Sequence, residues 1–123
     1  MTDAPNAIDI LARPGGNDQV ITKKVLLAAL ACDEAARLAL TPNAETVAAV
    51  EANFLGALAI HNRVELDEWL NASALSYDEF KLVMRDFAAV VVVEHHHASL
   101  LGPRIELHRR VVTARERRIS ALT

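Results

Sequence analysis

The sequence contains few residues that interrupt regular structure and few that are aromatic. Its 123 residues include four Gly and four Pro, and half of these eight lie at or before residue 16. The rest of the chain is therefore almost free of helix breakers, whereas an all-β fold would need many more turn residues. Apolar residues make up 52% of the chain, yet only three Phe, one Trp and one Tyr are aromatic, so Ala, Val and Leu supply the excess. This composition predicts packed helices and an all-α fold.

A single cysteine and the lack of a long apolar run exclude further classes of protein. Cys32 has no partner for an intramolecular disulfide and no second thiolate for a cysteine-based metal site, which fits a reducing compartment. Residues 1–6 are polar and acidic, unlike a signal peptide. The longest uninterrupted apolar run, residues 87–93, is far shorter than the ~20 residues of a membrane span. We therefore expect a cytoplasmic protein that does not cross a membrane.

Charge is distributed unevenly along the chain. The formal net charge is -3, but residues 103–123 contain six Arg against two Glu, which places +4 in that segment and -7 in the first 102 residues. A basic final helix is expected to meet an acidic surface of its own chain, of a second copy or of a separate partner, and a solvated arginine-rich face is the alternative. No aromatic residues are interleaved with these arginines, so we expect no nucleic-acid binding beyond generic charge.

The breakers near the start divide the chain into an arm and one helical domain. We expect residues 1–18 to form a flexible or short extended arm, and residues 19–123 to form a single domain of about five helices. Thr22 is predicted to cap the first helix, in which apolar residues recur at helical spacing up to Ala39.

The second and third helices are predicted from a proline signal and from a polar break. Thr41 and Pro42 are expected to open the second helix as its N-cap and first-turn proline. The polar residues 61–63 should end that helix, and residues 64–70 should form a short third one with an apolar side and an acidic side.

The fourth helix has the clearest local signal and is expected to be the long apolar helix at the centre of the fold. Ser76 and Glu79 have the spacing of a capping box, which predicts a helix start at that point. Residues 87–93 are apolar on every side of a helix, as expected where other helices surround it. Four consecutive valines, residues 90–93, also favour a strand, but helical spacing continues through them to Leu101.

Gly102 and Pro103 are predicted to end the fourth helix and to open the fifth. Apolar residues then recur along a narrow line between the arginines, which suits packing against another helix. The residues of this line are Ile105, Val112, Ile119 and Leu122.

The sharpest polar feature is a glutamate followed by three histidines, Glu94 to His97. Glu94 and His97 are three residues apart, as in one half of a carboxylate-bridged di-iron site, but such a site needs a second pair and the sequence has none. A mononuclear zinc or iron site is another alternative, with ligands drawn from Glu94, His95, His97, His61 and His108. In a small enzyme, Glu94, His95 and His97 would then be the catalytic residues. The third alternative is a solvated run in which Glu94 pairs with a tail arginine.

Parts of the sequence resemble the helical N-terminal region of parvulin-type foldases, the SurA and PpiC group. Val20–Leu26 reads V-I-T-K-K-V-L where that family has a short strand and an x-I-T turn, and Leu75–Phe80 reads L-S-Y-D-E-F where it has an L-S-x-x-E-F step into a long helix. The resemblance covers about residues 8–101 and implies a chaperone-like cradle for extended or unfolded peptide. The roughly hundred-residue isomerase domain has no room after Pro103, so isomerase activity is not implied. In this the chain is similar to PpiC-related proteins that accompany peptide-maturation enzymes.

From these observations we expect a non-catalytic, chaperone-like helical protein that binds a peptide or partner protein, without a cofactor and as a homodimer through the fifth helix. The alternative is a small helical enzyme that uses the Glu/His cluster, with zinc or iron, on a peptide or small molecule. Trp69 is the best single anchor candidate for a bound peptide. The expected groove is lined by Phe54, Leu58, Leu66, Trp69, Phe80 and Met84.

Overall fold

The computed structural model describes residues 10–12 and 17–123 of the chain. Within these residues the chain forms five helices with defined bounds and no β-strand, so the prediction of an all-α fold is confirmed. Ile10 and Leu11 are helical too, and the other residues of the predicted arm up to residue 16, apart from Ala12, lie outside the described residues. The five helices are α1 (Asp18–Arg37), α2 (Ala44–Ala57), α3 (Arg63–Ala72), α4 (Tyr77–His96) and α5 (Ala98–Leu122).

The first three helices begin after asparagine caps. In each, the side-chain oxygen of Asn17, Asn43 or Asn62 accepts a hydrogen bond from the backbone N–H three residues later, over 3.1, 2.8 and 2.9 Å respectively. The predicted caps Thr22 and Thr41 are therefore wrong. The Thr22 hydroxyl instead donates to a backbone carbonyl one turn earlier inside α1. Asparagine is the stronger cap of the two residue types, which explains why these helix starts lie at Asn17 and Asn43.

The predicted capping box at the start of α4 is confirmed. The Glu79 backbone N–H donates to the Ser76 hydroxyl over 3.0 Å, and the Ser76 backbone N–H donates to the Glu79 carboxylate over 2.8 Å. Two backbone donors that the helix itself cannot satisfy are thus satisfied reciprocally. Because the Ser76 N–H favours the charged form of the carboxylate, the pKa of Glu79 lies below its ordinary value.

Three helices end with an alanine in the left-handed conformation. Ala39, Ala59 and Ala74 follow α1, α2 and α3 with φ values of 58°, 57° and 57°. In each case the next residue donates its N–H back to a carbonyl five residues earlier, over 2.7, 3.0 and 3.0 Å. This is the Schellman arrangement, in which glycine is the usual left-handed residue because it has no Cβ.

The boundary between α4 and α5 lies at His97, and the predicted break at Gly102 and Pro103 is wrong. Pro103 lies inside α5, in its second turn, and the helix continues through it to Leu122. Proline there lacks the N–H that would bond to the carbonyl four residues earlier. Only one backbone bond near the start of a 25-residue helix is lost, so the helix persists.

The main hydrophobic core is formed by α2, α3 and α4. Met84 of α4 is its largest fully buried side chain. Every residue from 87 to 93 is buried or half-buried, so the most apolar part of α4 is also its least exposed. The buried members of the main core are Val47, Val50, Leu66, Leu70, Phe80, Met84 and Ala88.

A second, smaller core cluster joins α1 to α4 through small side chains. Ala28 and Ala31 of α1 pack with Ala89 and Val90 of α4. Alanines spaced three residues apart let two helix backbones approach closely. The face of α1 that meets α4 is therefore occupied by small side chains, and it has no room for the larger residues of α1. The leucines of α1 consequently point elsewhere.

The chain divides into two compact units, one up to Val93 and one from Glu94 to Thr123. The first, here the N-terminal unit, contains both core clusters. The second, the C-terminal unit, contains α5 and the last turn of α4. No helix in the described part of the chain is long and apolar enough to cross a membrane.

Candidate partner-binding surfaces

The six residues predicted to line a peptide groove belong to the main core or lie at its edge. Phe54 and Trp69 are half-buried and pack against the core, whereas Leu58 is exposed. The other three are interior side chains with at most 6% of their surface exposed: Leu66, Phe80 and Met84. Interior side chains contact one another rather than a ligand. The accessible part of the predicted groove is therefore limited to Phe54, Leu58 and Trp69.

Trp69 takes part in a cluster of three aromatic rings, one from each core helix. The ring centroids of Phe54 and Phe80 are 5.7 Å apart, those of Trp69 and Phe80 are 5.8 Å apart, and those of Phe54 and Trp69 are 6.0 Å apart. Trp69 meets Phe80 edge to face, an arrangement that contributes roughly 0.5–1.5 kcal/mol beyond area burial. The indole thus has a structural role in joining α3 to α4.

The largest run of accessible apolar side chains is on α5. No residue of this helix, all of which the structure describes, is buried. Its apolar residues at alternating spacings of four and three form one line along the helix, with His108 and Arg115 at the two remaining positions. This line, the α5 seam, consists of Leu101, Ile105, His108, Val112, Arg115, Ile119 and Leu122. The exposed fractions of its apolar members range from 36% at Leu101 to 70% at Leu122.

Arginines flank the α5 seam on both sides. Successive residues turn by about 100° around a helix, so Arg104 and Arg118 border one side of the seam, and Arg109 and Glu116 border the other. Glu106 pairs with Arg109 within the helix and neutralises part of this charge. With six Arg and two Glu, α5 keeps a net charge of +4. An apolar seam between basic flanks is the pattern of a helix that packs against an acidic helical partner.

The second accessible apolar surface is on α1, where large apolar side chains are exposed although such side chains are usually buried. Leu26, Leu27 and Leu30 have exposed fractions of 56%, 48% and 56%, although Ala28 and Ala31 of the same helix are buried. Leu30 lies four residues after Leu26 and three after Leu27, so the three leucines share one side of the helix. Exposed apolar faces of this kind mark interaction sites in soluble proteins.

A polar network ties α2 to the start of α4. Lys81 Nζ lies 2.8 Å from a carboxylate oxygen of Glu51, and the Tyr77 hydroxyl donates to the other oxygen over 3.3 Å. The guanidinium of Arg63 lies over the Tyr77 ring, 4.5 Å from its centre. The hydrogen bond to the Glu51 carboxylate raises the pKa of Lys81.

This network borders a cleft of about 430 Å³ whose lining includes Leu55, Ile60 and His61. Its charged members are matched by neighbours: Glu51 with Lys81, and Arg63 with Asp67 at 3.0 Å. The arrangement fixes the relative position of α2, α3 and α4 and creates no charge imbalance that would select an ionic ligand.

Cys32 lines a second cleft, of about 230 Å³, between α1 and α4. Its thiol donates to a carboxylate oxygen of Asp86 over 3.5 Å. Burial raises the pKa of the Cys32 thiol, and the negative charge of Asp86 raises it further. A thiol held in its neutral form is a poor nucleophile.

The Glu/His cluster spans the end of one helix and the start of the next. Glu94 and His95 are exposed at the end of α4, whereas His97 lies between α4 and α5, so Glu94 and His97 do not share a helix as the spacing had suggested. Among residues 10–12 and 17–123, no three His, Cys, Asp or Glu side chains come together in a metal-binding arrangement. That statement includes the candidate ligands His61 and His108.

Sequence reasoning missed three parts of these surfaces. Leu101 belongs to the α5 seam but was assigned to the fourth helix because Gly102 and Pro103 resemble a helix end. The exposed leucines of α1 give no sequence signal that separates them from core leucines. Glu51 could have been found, because it lies three residues before Phe54 and four after Val47, on the apolar face of α2.

Comparison of the chain with protein-family models, with curated proteins and with solved structures gives no match in any of the three. The resemblance to foldase N-terminal regions therefore depends on the quoted motifs alone.

Proposed function

We propose that the protein is a non-catalytic binding module that docks an acidic amphipathic helix of a partner protein against the α5 seam. The observation that carries the proposal is the exposure of the seam: Ile105, Val112 and Ile119 have exposed fractions of 50%, 55% and 42% in a helix with no buried residue. Burial of such side chains against a partner helix is the usual source of affinity in helix recognition.

The charge of α5 selects the partner. Two copies of this helix would bring together +4 and +4, and an in-register parallel pair would set Arg115 against Arg115 in the seam itself. Like charges across a helix interface oppose association. The tail-to-tail homodimer expected from the sequence is therefore less favourable than a complex with a helix whose flanks carry Asp or Glu.

The polar members of the seam add a register requirement. A partner residue opposite Arg115 must be acidic or able to accept a hydrogen bond, since an apolar residue there would leave the guanidinium unpaired at an interface. A single polar position of this type fixes which residues of two helices face each other. The partner we propose thus has apolar residues along one face, acidic flanks and one acidic residue within the face.

The proposal agrees in part with the peptide-binding role implied by the foldase resemblance. In both cases the ligand is a segment of another polypeptide and no reaction is catalysed. They differ in location, because Leu66, Phe80 and Met84 are interior residues and the accessible apolar area lies on the helices outside the main core.

Synthetic helical peptides test the proposal directly. Three peptides about four heptads long would share the same apolar face and carry Glu, Gln or Lys on both flanks, and binding to the full chain would be measured by calorimetry at low and high salt. We expect the Glu peptide to bind at least about tenfold more tightly than the Gln peptide, with a difference that shrinks at high salt. Binding of the Lys peptide as tight as that of the Glu peptide would contradict the proposed partner chemistry.

Two matched substitutions locate the binding surface. Ile105→Glu places a charge in the seam, whereas Leu107→Glu places it outside, and the two side chains are 50% and 47% exposed. We expect Ile105→Glu to abolish binding of the Glu peptide and Leu107→Glu to leave it within about twofold. Equal effects of the two would show that the seam is not the docking surface. Circular dichroism of both variants would verify that α5 remains helical.

A further inference from the structure

The exposed face of α1 differs from the α5 seam in its charge pattern. Lys23 lies one turn before Leu26 and Leu27, and Glu34 lies one turn after Leu30. These residues, Lys23, Leu26, Leu27, Leu30 and Glu34, share one face of α1 and are called the α1 stripe. The stripe is thus basic at one end, apolar in the middle and acidic at the other end.

The α1 stripe is complementary to itself when reversed. Its midpoint falls between residues 28 and 29, so reversal places Lys23 opposite Glu34 and Leu27 opposite Leu30, whereas Leu26 has no stripe residue opposite it. Asp33 adds a second carboxylate to the acidic end, whereas Arg37, one turn further along the same face, pairs with the Glu34 carboxylate over 2.7 and 2.9 Å and offsets one of these two charges. A parallel arrangement would instead bring Lys23 against Lys23.

We propose that the α1 stripe is a homodimer interface, in which α1 of a second copy packs antiparallel across Leu26, Leu27 and Leu30. The contact is isologous: the same surface is used on both chains, as a two-fold axis requires. Lys23 of each chain pairs with the acidic end of the other, at two equivalent places.

The geometry of α1 allows this contact because its buried face is made of alanines. Ala28, Ala31 and Ala35 bring α1 close to the rest of the N-terminal unit, and their small side chains leave the leucines on the outer side of the helix. One helix pair buries less than the standard ~800 Å² per partner, so we expect an equilibrium between monomer and dimer rather than an obligate dimer. The proposal is independent of α5 and gives each dimer two α5 seams.

Sedimentation velocity of the full chain between about 1 and 100 µM tests the proposal. We expect reversible dimerisation that weakens with salt, because ion pairs flank the contact. Leu30→Glu should make the chain monomeric, whereas Val25→Glu should not, although these side chains are 56% and 62% exposed and Val25 lies outside the stripe. A monomer at every concentration, or equal effects of the two substitutions, would overturn the proposal.

Direction and location are tested by two further arms. Carbodiimide treatment of mixed unlabelled and ¹⁵N-labelled chains should link Lys23 of one chain to Asp33 or Glu34 of the other. If the sample dimerises and every link lies within one chain, the antiparallel contact is excluded. Ile105→Glu should leave dimerisation unchanged. If Ile105→Glu abolishes the dimer while Leu30→Glu does not, the α5 seam binds a second copy, and both this proposal and the acidic partner of α5 are refuted.

Apart from that one outcome, the two proposals fail independently of each other in these experiments. If the chain dimerises through Leu30 but does not bind the Glu peptide, only the proposal of α5 docking is refuted. If the chain binds the Glu peptide but never dimerises, only the proposal of the α1 interface is refuted.

Discussion

Replacement of the left-handed alanines by glycine should stabilise the N-terminal unit. Ala39, Ala59 and Ala74 have φ near 57°, a conformation that costs an L-residue roughly 1–2 kcal/mol and costs glycine almost nothing. Glycine also raises the entropy of the unfolded chain, which offsets about 0.4–1 kcal/mol of that gain. The net expectation for Ala59→Gly is therefore an increase of about 0.5–1 kcal/mol in the free energy of unfolding, equivalent to about 3–5 °C in Tm.

Urea unfolding followed by circular dichroism measures this change, and Ala48→Gly provides the control. Ala48 is exposed in the interior of α2, where the same substitution should destabilise the protein by about 1 kcal/mol. The effects at Ala39, Ala59 and Ala74 should add, since each follows a different helix. If Ala59→Gly lowers stability as Ala48→Gly does, the argument that the left-handed conformation strains this chain is refuted.

Three further predictions concern the capping box of α4, the ion pair between α2 and α4, and Cys32 of α1. Ser76→Ala should lower the free energy of unfolding by about 1 kcal/mol. Because the pKa of Glu79 is lowered from 4.5, the stabilisation from its charge should be complete above pH 4.5 and be lost as pH falls through the lower folded pKa; acid titrations of wild type and Glu79→Gln would show this loss. Lys81→Met should cost about 1–2 kcal/mol in urea unfolding, because Glu51 loses its charged partner, and no change would show that the pair is merely solvated. Alkylation of Cys32 by iodoacetamide should reach its half-maximal rate above pH 9.0; a midpoint below that value would contradict the raised pKa.

The local signals with a chemical mechanism predicted the helices best. Ser76 and Glu79 were identified from the sequence because a capping box needs two particular residue types at one spacing. The sequence also predicts caps at Thr22 and Thr41, but the asparagines nearby are the stronger caps, and the helices start after Asn17 and Asn43. Propensity also failed at Pro103, where the loss of one backbone bond early in α5 was outweighed by the bonds of the residues that follow.

The left-handed ends and the orientation of α1 could not be derived from local sequence. Alanine is the best helix former, so Ala39, Ala59 and Ala74 give no sign that a helix ends beside them. In α1 the apolar residues occupy almost the whole circumference, and spacing alone cannot tell which side meets α4. The structure places the alanine side inward, and that choice exposes the leucines. Four members of the α5 seam, Ile105, Val112, Ile119 and Leu122, were predicted from the sequence, because the apolar residues of a highly charged helix are few and their spacing places these four on one face.

The absence of buried residues in α5 has a consequence for the lifetime of this segment. A helix with no buried residue gains little from tertiary packing, and α5 contains Gly102, Pro103 and several β-branched residues that favour the coil. A bound partner would raise its helix content by mass action, in proportion to the logarithm of the free partner concentration. Its six arginines are also the residues after which trypsin-like proteases cleave an unfolded segment. Under the proposed function, cleavage of the tail would be slow while the partner is plentiful and fast when it is scarce, so the abundance of intact chain would follow the supply of that partner.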